Sequence, residues 1–138
     1  MSTIDKAVQT ALTETLRRYY DALKRGDMQL LSALMTEESY LITLEALGFK
    51  RAFKEPRFKR LLGTMEKDLH ALKEVETILS ANLEKESRSH QIEAGGFEPK
   101  GVDRITLHYR EDGHPKKLYL SSSPGGWKID YMAGRRKS

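Results

Sequence analysis

The spacing of apolar residues changes once along this chain of 138 residues, close to position 87. Before that position apolar residues recur every three or four places, which is the spacing of one face of an α-helix. After it they alternate with polar residues, as in strands with one buried face. This order predicts an α+β fold, with N-terminal helices packed on a C-terminal antiparallel sheet of about four strands. We expect one domain over residues 1–134 and a short basic tail over residues 135–138.

The first helix has the clearest pattern, between positions 3 and 25. Gly26 is expected to end it, because glycine adopts a left-handed backbone conformation at little cost. Asp27 follows as the predicted cap of a second, short helix that runs to Met35. The apolar stripe of the first helix consists of Ile4, Val8, Leu12, Leu16, Tyr19 and Leu23.

The middle of the chain is also predicted to be mainly helical. One helix begins at Thr36 and is expected to end near Gly48. A short helix begins at Pro56, because proline suits the first helical turn, and stops before Gly63. Residues 64–86 fit both helical spacing and strand alternation. Their content of Leu, Glu, Lys and Ala favours a helix, and a strand stays the alternative.

The C-terminal part contains four predicted strands joined by tight turns. The first covers residues 90–97 and is followed by a predicted turn at residues 98–101. The second alternates apolar and polar residues from position 104 to 109, and the third covers residues 117–121. A fourth predicted strand contains the only tryptophan of the chain.

The fourth strand is predicted within SPGGWKIDYM, residues 123–132. Trp127, Ile129 and Tyr131 alternate with polar residues, which places them on one apolar face. Asp130 belongs to the opposite face, where we expect a surface ion pair. A role for Asp130 as a general base is the alternative, because a desolvated carboxylate has a pKa closer to neutral.

Composition excludes several kinds of chemistry. The chain has no cysteine, which rules out disulfides, thiolate metal sites and cysteine nucleophiles. No glycine run resembles a phosphate-binding loop, so no cofactor is expected. His70 and Glu74 share a helical face but lack a third metal ligand, so no metal site is expected either. No apolar block has the length of a signal peptide or a membrane span, and a cytoplasmic location is predicted.

Two stretches resemble the nuclear transport factor 2-like, or cystatin-like, superfamily. RRYYDALKRGDMQLLSALM, residues 17–35, resembles its opening helix pair. YREDGHPKKLYLSSSPGGWKIDYM, residues 109–132, resembles its closing hairpin. The resemblance implies a curved sheet wrapped by helices into a cone, a homodimer formed through the sheet, and an apolar pocket. The superfamily includes isomerases, dehydratases and cyclases as well as members that only bind.

Within that superfamily, ketosteroid isomerase can be compared by position. Its oxyanion tyrosine corresponds to Tyr19, but Thr43 lies nearest the place of its aspartate base. Residues 37–86 also read as helical where those enzymes place strands and pocket loops. We therefore predict a non-catalytic module that binds a small ligand or a protein. The alternative is a pocket enzyme for a small apolar substrate, with Tyr19 as hydrogen-bond donor and Asp130 or an unidentified carboxylate as base.

Aromatic residues supply the candidates for such a pocket, because tyrosine combines an apolar ring with a hydroxyl that needs a partner. Ordinary core and sheet packing is the alternative role for all of them. The pocket-lining candidates are Tyr19, Tyr20, Tyr109, Trp127 and Tyr131.

The segment FKRAFKEPRFKR, residues 49–60, mixes six basic residues with three phenylalanines and one acid. This composition is typical of surfaces that bind nucleic acid or an anionic membrane. The alternative is a pair of helices that buries Phe49, Phe53 and Phe58 and exposes the cations. The chain's formal net charge of +4 only weakly favours anionic partners. The anion-binding candidates are Lys50, Arg51, Lys54, Arg57 and Arg60.

Overall fold

The computed structural model describes residues 4–86 and 88–134, and it confirms the α+β prediction. The predicted tail at residues 135–138 lies outside the described residues. Helices come first: α1 (Lys6–Arg25), α2 (Met28–Ala33), α3 (Glu37–Lys54), α4 (Pro56–Thr64) and α5 (Leu69–Glu86). Strands follow: β1 (Ile92–Gly101), β2 (Arg104–Glu111), β3 (His114–Ser123) and β4 (Gly126–Ile129), then a 3₁₀ helix, η1 (Tyr131–Gly134). The strands pair antiparallel in chain order.

The corner between α1 and α2 is confirmed as predicted. Gly26 ends α1 in the left-handed region, with φ 64°. The Asp27 carboxylate accepts the Leu30 backbone N–H at 3.0 Å and so caps α2. The Ser80 hydroxyl donates to the Gly26 carbonyl at 2.6 Å, which connects this corner to α5.

The predicted end of the third helix near Gly48 is wrong, because α3 continues to Lys54. A Cβ at position 48 would lie 2.7 Å from the ring of Phe58. Glycine at this position therefore lets α4 pack closely on α3 and does not end the helix. Pro56 begins α4 as predicted.

For residues 64–86 the helical prediction is confirmed and the strand alternative is wrong. The helix α5 buries Ala71, Val75 and Leu79, which are four residues apart and therefore share one face. Packing against α1, α3 and α4 covers this face. Helical spacing, and not the strand alternation, is thus the pattern that matches the burial.

The predicted turn at residues 98–101 is also wrong, because β1 continues to Gly101. The β1–β2 pairing contains a bulge, since the two residues between Ala94 and Phe97 oppose the single residue between Tyr109 and Leu107. Pro99 is tolerated within the strand because β1 lies at the edge of the sheet.

The inner face of the sheet and the helices form one core. Its sheet residues lie at alternate positions, and most of its fully buried helical residues are leucines. The outer face of the sheet carries Arg104, His108, Arg110 and Lys117. The fully buried core leucines are Leu12, Leu16, Leu31, Leu44, Leu79, Leu107, Leu118 and Leu120.

The last strand ends earlier than predicted. Only residues up to Ile129 belong to β4, and Tyr131 begins η1. Asp130 is 4% exposed, so its expected surface position is wrong. Its carboxylate accepts the Met132 backbone N–H at 3.1 Å and so shapes the turn into η1. The other edge of β4 contacts the link between α2 and α3 through hydrogen bonds of Ile129.

Candidate ligand-binding site

Four of the five pocket candidates meet between α1 and the C-terminal part of the sheet. The Tyr20 and Tyr109 hydroxyls lie 2.9 Å apart, and the Tyr19 and Tyr131 hydroxyls lie 3.3 Å apart. The rings of Tyr19 and Tyr20 also meet edge to face, with centroids 5.2 Å apart. Neighbouring helical residues point about 100° apart, so each tyrosine of α1 reaches a different partner.

The turn after β4 positions Tyr131. Its backbone N–H donates to the Ser39 hydroxyl at 2.8 Å, which fixes η1 against the start of α3. Ser39 is itself held by the Thr36 hydroxyl at 2.8 Å. Because the chain turns at Asp130, the Tyr131 ring leaves the path of the strand and meets α1.

Trp127, the fifth pocket candidate, lies apart from the tyrosines. Trp127 lies on β4 and pairs with Ser122 of β3. Its side chain is half-buried and packs at the margin of the core. It does not line the cavity described below. Trp127 therefore lies outside the group that the other four candidates form.

An open cavity of about 390 Å³ lies between α1, α3, β3 and η1. Sequence reasoning missed its α3 wall, although pairs of residues four apart on that helix share a face. It also missed Tyr119 of β3. The lining residues are Tyr19, Ile42, Thr43, Ala46, Leu47, Tyr119 and Tyr131.

A second cavity of about 370 Å³ shares Leu47 with the first. Unlike that of the first, its lining includes carboxylate, guanidinium and imidazole side chains. His90 is held by Asp112, with Nδ1 and Oδ2 2.7 Å apart. The lining residues are Tyr20, Leu23, Leu47, Leu83, Glu86, Arg88, His90 and Glu111.

The hydroxyls of Tyr19 and Tyr20 remain protonated at neutral pH because the pKa of each is raised. Burial raises the pKa of Tyr19, and the neighbouring Tyr131 raises it further. Burial also raises the pKa of Tyr20, and hydrogen bonds with Tyr109 and Glu111 raise it further. These groups can therefore donate hydrogen bonds, but they do not serve as bases.

Among the described residues that line the first cavity, none is an Asp, Glu or His that could act as a general base. Thr43, at the position expected for a base, donates its hydroxyl to the Ser39 carbonyl at 2.9 Å. Asp130, the alternative base, does not line either cavity. The tyrosine hydroxyls and apolar side chains of the first cavity can contact a neutral molecule that carries an oxygen acceptor.

The basic segment is only partly available to an anion. Arg51 pairs with Glu55 at 2.9 Å and Arg57 with Glu74 at 2.6 Å. Within the described ranges, Lys50, Lys54 and Arg60 have no ion pair. Phe58 is buried, whereas Phe49 and Phe53 are exposed, so the expected burial of all three rings is wrong.

Two absences apply to the part of the chain that the structure describes. It contains no group of three His, Asp or Glu side chains placed to hold a metal ion. No helix in it is long and apolar enough to cross a bilayer. Glu74, once considered with His70, binds Arg57 instead.

Raised tyrosine pKa values predict a loss of stability in alkali. Above pH 10 the unfolded chain loses tyrosine protons that the folded protein retains, so the free energy of unfolding falls as the pH rises. For Tyr19 the expected slope is at most about 1.4 kcal/mol per pH unit. Urea unfolding at a series of pH values from about 7 to about 11.5, which include the usual tyrosine pKa, measures this slope. Tyr19→Phe should flatten this slope, and an unchanged slope would contradict the assignment.

No protein-family model, curated protein or solved structure matches this chain. The resemblance to the nuclear transport factor 2-like superfamily therefore stays a prediction from the two motifs.

Proposed function

We infer that this protein is a non-catalytic module that binds a small, mostly apolar neutral molecule in the cavity between α1, α3 and η1. One observation carries the proposal. The cavity combines apolar walls with the paired hydroxyls of Tyr19 and Tyr131, and the described residues of its lining include no Asp, Glu, His, Lys or Arg. Its volume of about 390 Å³ lies within the usual range for small-molecule sites.

The hydroxyl pair determines the chemistry of the ligand. Two hydroxyls share one hydrogen in their mutual bond, so one O–H donor remains available. The distance of 3.3 Å between the Tyr19 and Tyr131 hydroxyl oxygens is long for such a bond. Breaking this bond when a ligand binds therefore costs little free energy. A ligand with a carbonyl or ether oxygen and a compact hydrocarbon body meets both requirements.

The proposal includes membership of the nuclear transport factor 2-like superfamily. It is supported by the two motifs and by the order of helices followed by an antiparallel meander. A homodimer formed through the sheet follows from the same resemblance, a cytoplasmic location follows from the composition, and both stay predictions.

Tetralone, a neutral bicyclic ketone, is a suitable probe, with tetralin as its counterpart without the carbonyl. We expect ligand-observed NMR to detect tetralone binding that Ala46→Trp abolishes, because the indole fills the cavity from α3. Ala81→Trp, at an exposed position of α5, is the matched control and should bind normally. Tyr19→Phe combined with Tyr131→Phe removes both hydroxyls and should weaken tetralone binding about two- to tenfold, the value of one hydrogen bond.

Three results would contradict the proposal. Binding that Ala46→Trp leaves intact would place the ligand elsewhere. Equal affinity for tetralin and tetralone would remove the role of the hydroxyls. Chemical turnover of a bound ketone that depends on one residue of the lining would show an enzyme.

A further inference from the structure

The C-terminal end of α3 exposes two aromatic rings beside two cations. Phe49 is 62% and Phe53 82% exposed, and their rings meet at an angle with centroids 5.5 Å apart. Lys50 and Lys54 each follow one of these rings in the chain. Because residues four apart share a helical face, an apolar stripe lies next to a cationic stripe. We call these four residues the aromatic–basic patch.

The rings are not needed for packing within this chain. Phe58, in the same segment, is 2% exposed and fills the contact between α3 and α4. The segment thus buries one phenylalanine where the core needs it and leaves the other two in solvent. Large exposed apolar groups close together on a monomer indicate an interaction site.

Charge is concentrated at the same place. The chain has 24 basic and 20 acidic residues. The segment 49–60 contains six of the basic residues and one of the acidic residues, so the rest of the chain is slightly acidic. Arg51 and Arg57 are already paired with carboxylates. Lys50 and Lys54 have no ion pair within residues 4–86 and 88–134, so their charge is available to an anionic partner.

We propose that the aromatic–basic patch docks on an anionic lipid membrane, with the two rings at the level of the headgroups and the lysines on lipid phosphates and carboxylates. Interfacial anchors combine these same two components. This surface site is separate from the ligand cavity, so it does not depend on the proposed function.

Other partners match the patch less well. Two phenylalanines present roughly 300–500 Å² in all, well below the area that one partner contributes to a stable protein interface. A second copy of the chain would bring lysines against lysines. The ring planes of Phe49 and Phe53 are inclined by 68°, so two neighbouring parallel bases would not stack on both.

Flotation with vesicles tests the proposal on the full chain. We expect binding to phosphatidylcholine vesicles that contain phosphatidylserine, little binding to phosphatidylcholine alone, and weaker binding as salt rises. Lys50→Gln combined with Lys54→Gln should weaken binding about thirtyfold. Phe53→Ala should weaken it about tenfold, because less apolar area reaches the membrane.

Matched controls lie on other parts of the surface. Lys116→Gln with Lys117→Gln removes the same charge from β3, and Val102→Ala trims an exposed apolar residue between β1 and β2; both should bind vesicles normally. Unchanged thermal unfolding of all variants shows that folding is intact. Equal losses in the control and patch variants, binding to a single-stranded oligonucleotide but not to vesicles, or no binding to either would overturn the proposal.

Discussion

Replacing Phe58 with alanine is expected to lower the free energy of unfolding by about 3–5 kcal/mol. The ring is 2% exposed and lies against α3 where Gly48 has no side chain. Alanine would leave a space that neither helix can close, because α4 is held by its short connection to α3 at Glu55. Urea unfolding followed by circular dichroism gives the difference from the shift in midpoint at constant m-value.

The same segment supplies the control for this substitution. Phe53→Ala removes the same number of atoms from a side chain that is 82% exposed, and it should change the free energy of unfolding by less than about 0.5 kcal/mol. A similar loss of stability in both variants would mean that Phe53 is packed in solution, which would also count against the membrane docking of the aromatic–basic patch.

Local signals in the sequence predicted the helix ends that depend only on residues close together in the chain. Gly26, Asp27 and Pro56 act through backbone conformation and caps, which involve only a few neighbouring residues. The change from helical spacing to alternation predicted the fold class for the same reason. Each of these features is visible within one or two turns of the sequence.

The errors occurred where a distant partner decides the outcome. Gly48 reads as a helix end unless the ring of Phe58 is known to lie against it. Residues 98–101 read as a turn, but pairing with β2 and a bulge near Gly95 extend the strand. Asp130 reads as a surface residue because strand alternation does not reveal that the chain turns after Ile129.

The candidate site was predicted by residue type but not by geometry. Tyr20 and Tyr109 are 89 positions apart, and Tyr19 and Tyr131 are 112 apart, so only the folded chain reveals the hydroxyl pairs. Trp127 was included because strand alternation places this aromatic residue on one face with Tyr131. The early end of β4 separates it from Tyr131.

Replacing Gly26 with alanine is expected to lower the free energy of unfolding by about 2–5 kcal/mol, the second large effect. At φ 64° an alanine is strained, and its Cβ would lie 2.5 Å from the Ser80 carbonyl oxygen. This contact involves backbone on both sides, so relief requires α5 to move away from the corner between α1 and α2. The hydrogen bond from the Ser80 hydroxyl to Gly26 would then be stretched.

Gly63→Ala is the matched control, and it should shift stability in the opposite direction. Nothing lies within 4 Å of a Cβ at position 63, and the residue belongs to α4, so alanine should stabilise the protein by about 0.4–1 kcal/mol. The same urea titration measures both variants. If Gly26→Ala were also neutral or stabilising, the corner would not be held against α5. The α1 helix, which carries Tyr19 and Tyr20, would then lack this fixed point, and the tyrosine pairs would have to be positioned by the sheet alone.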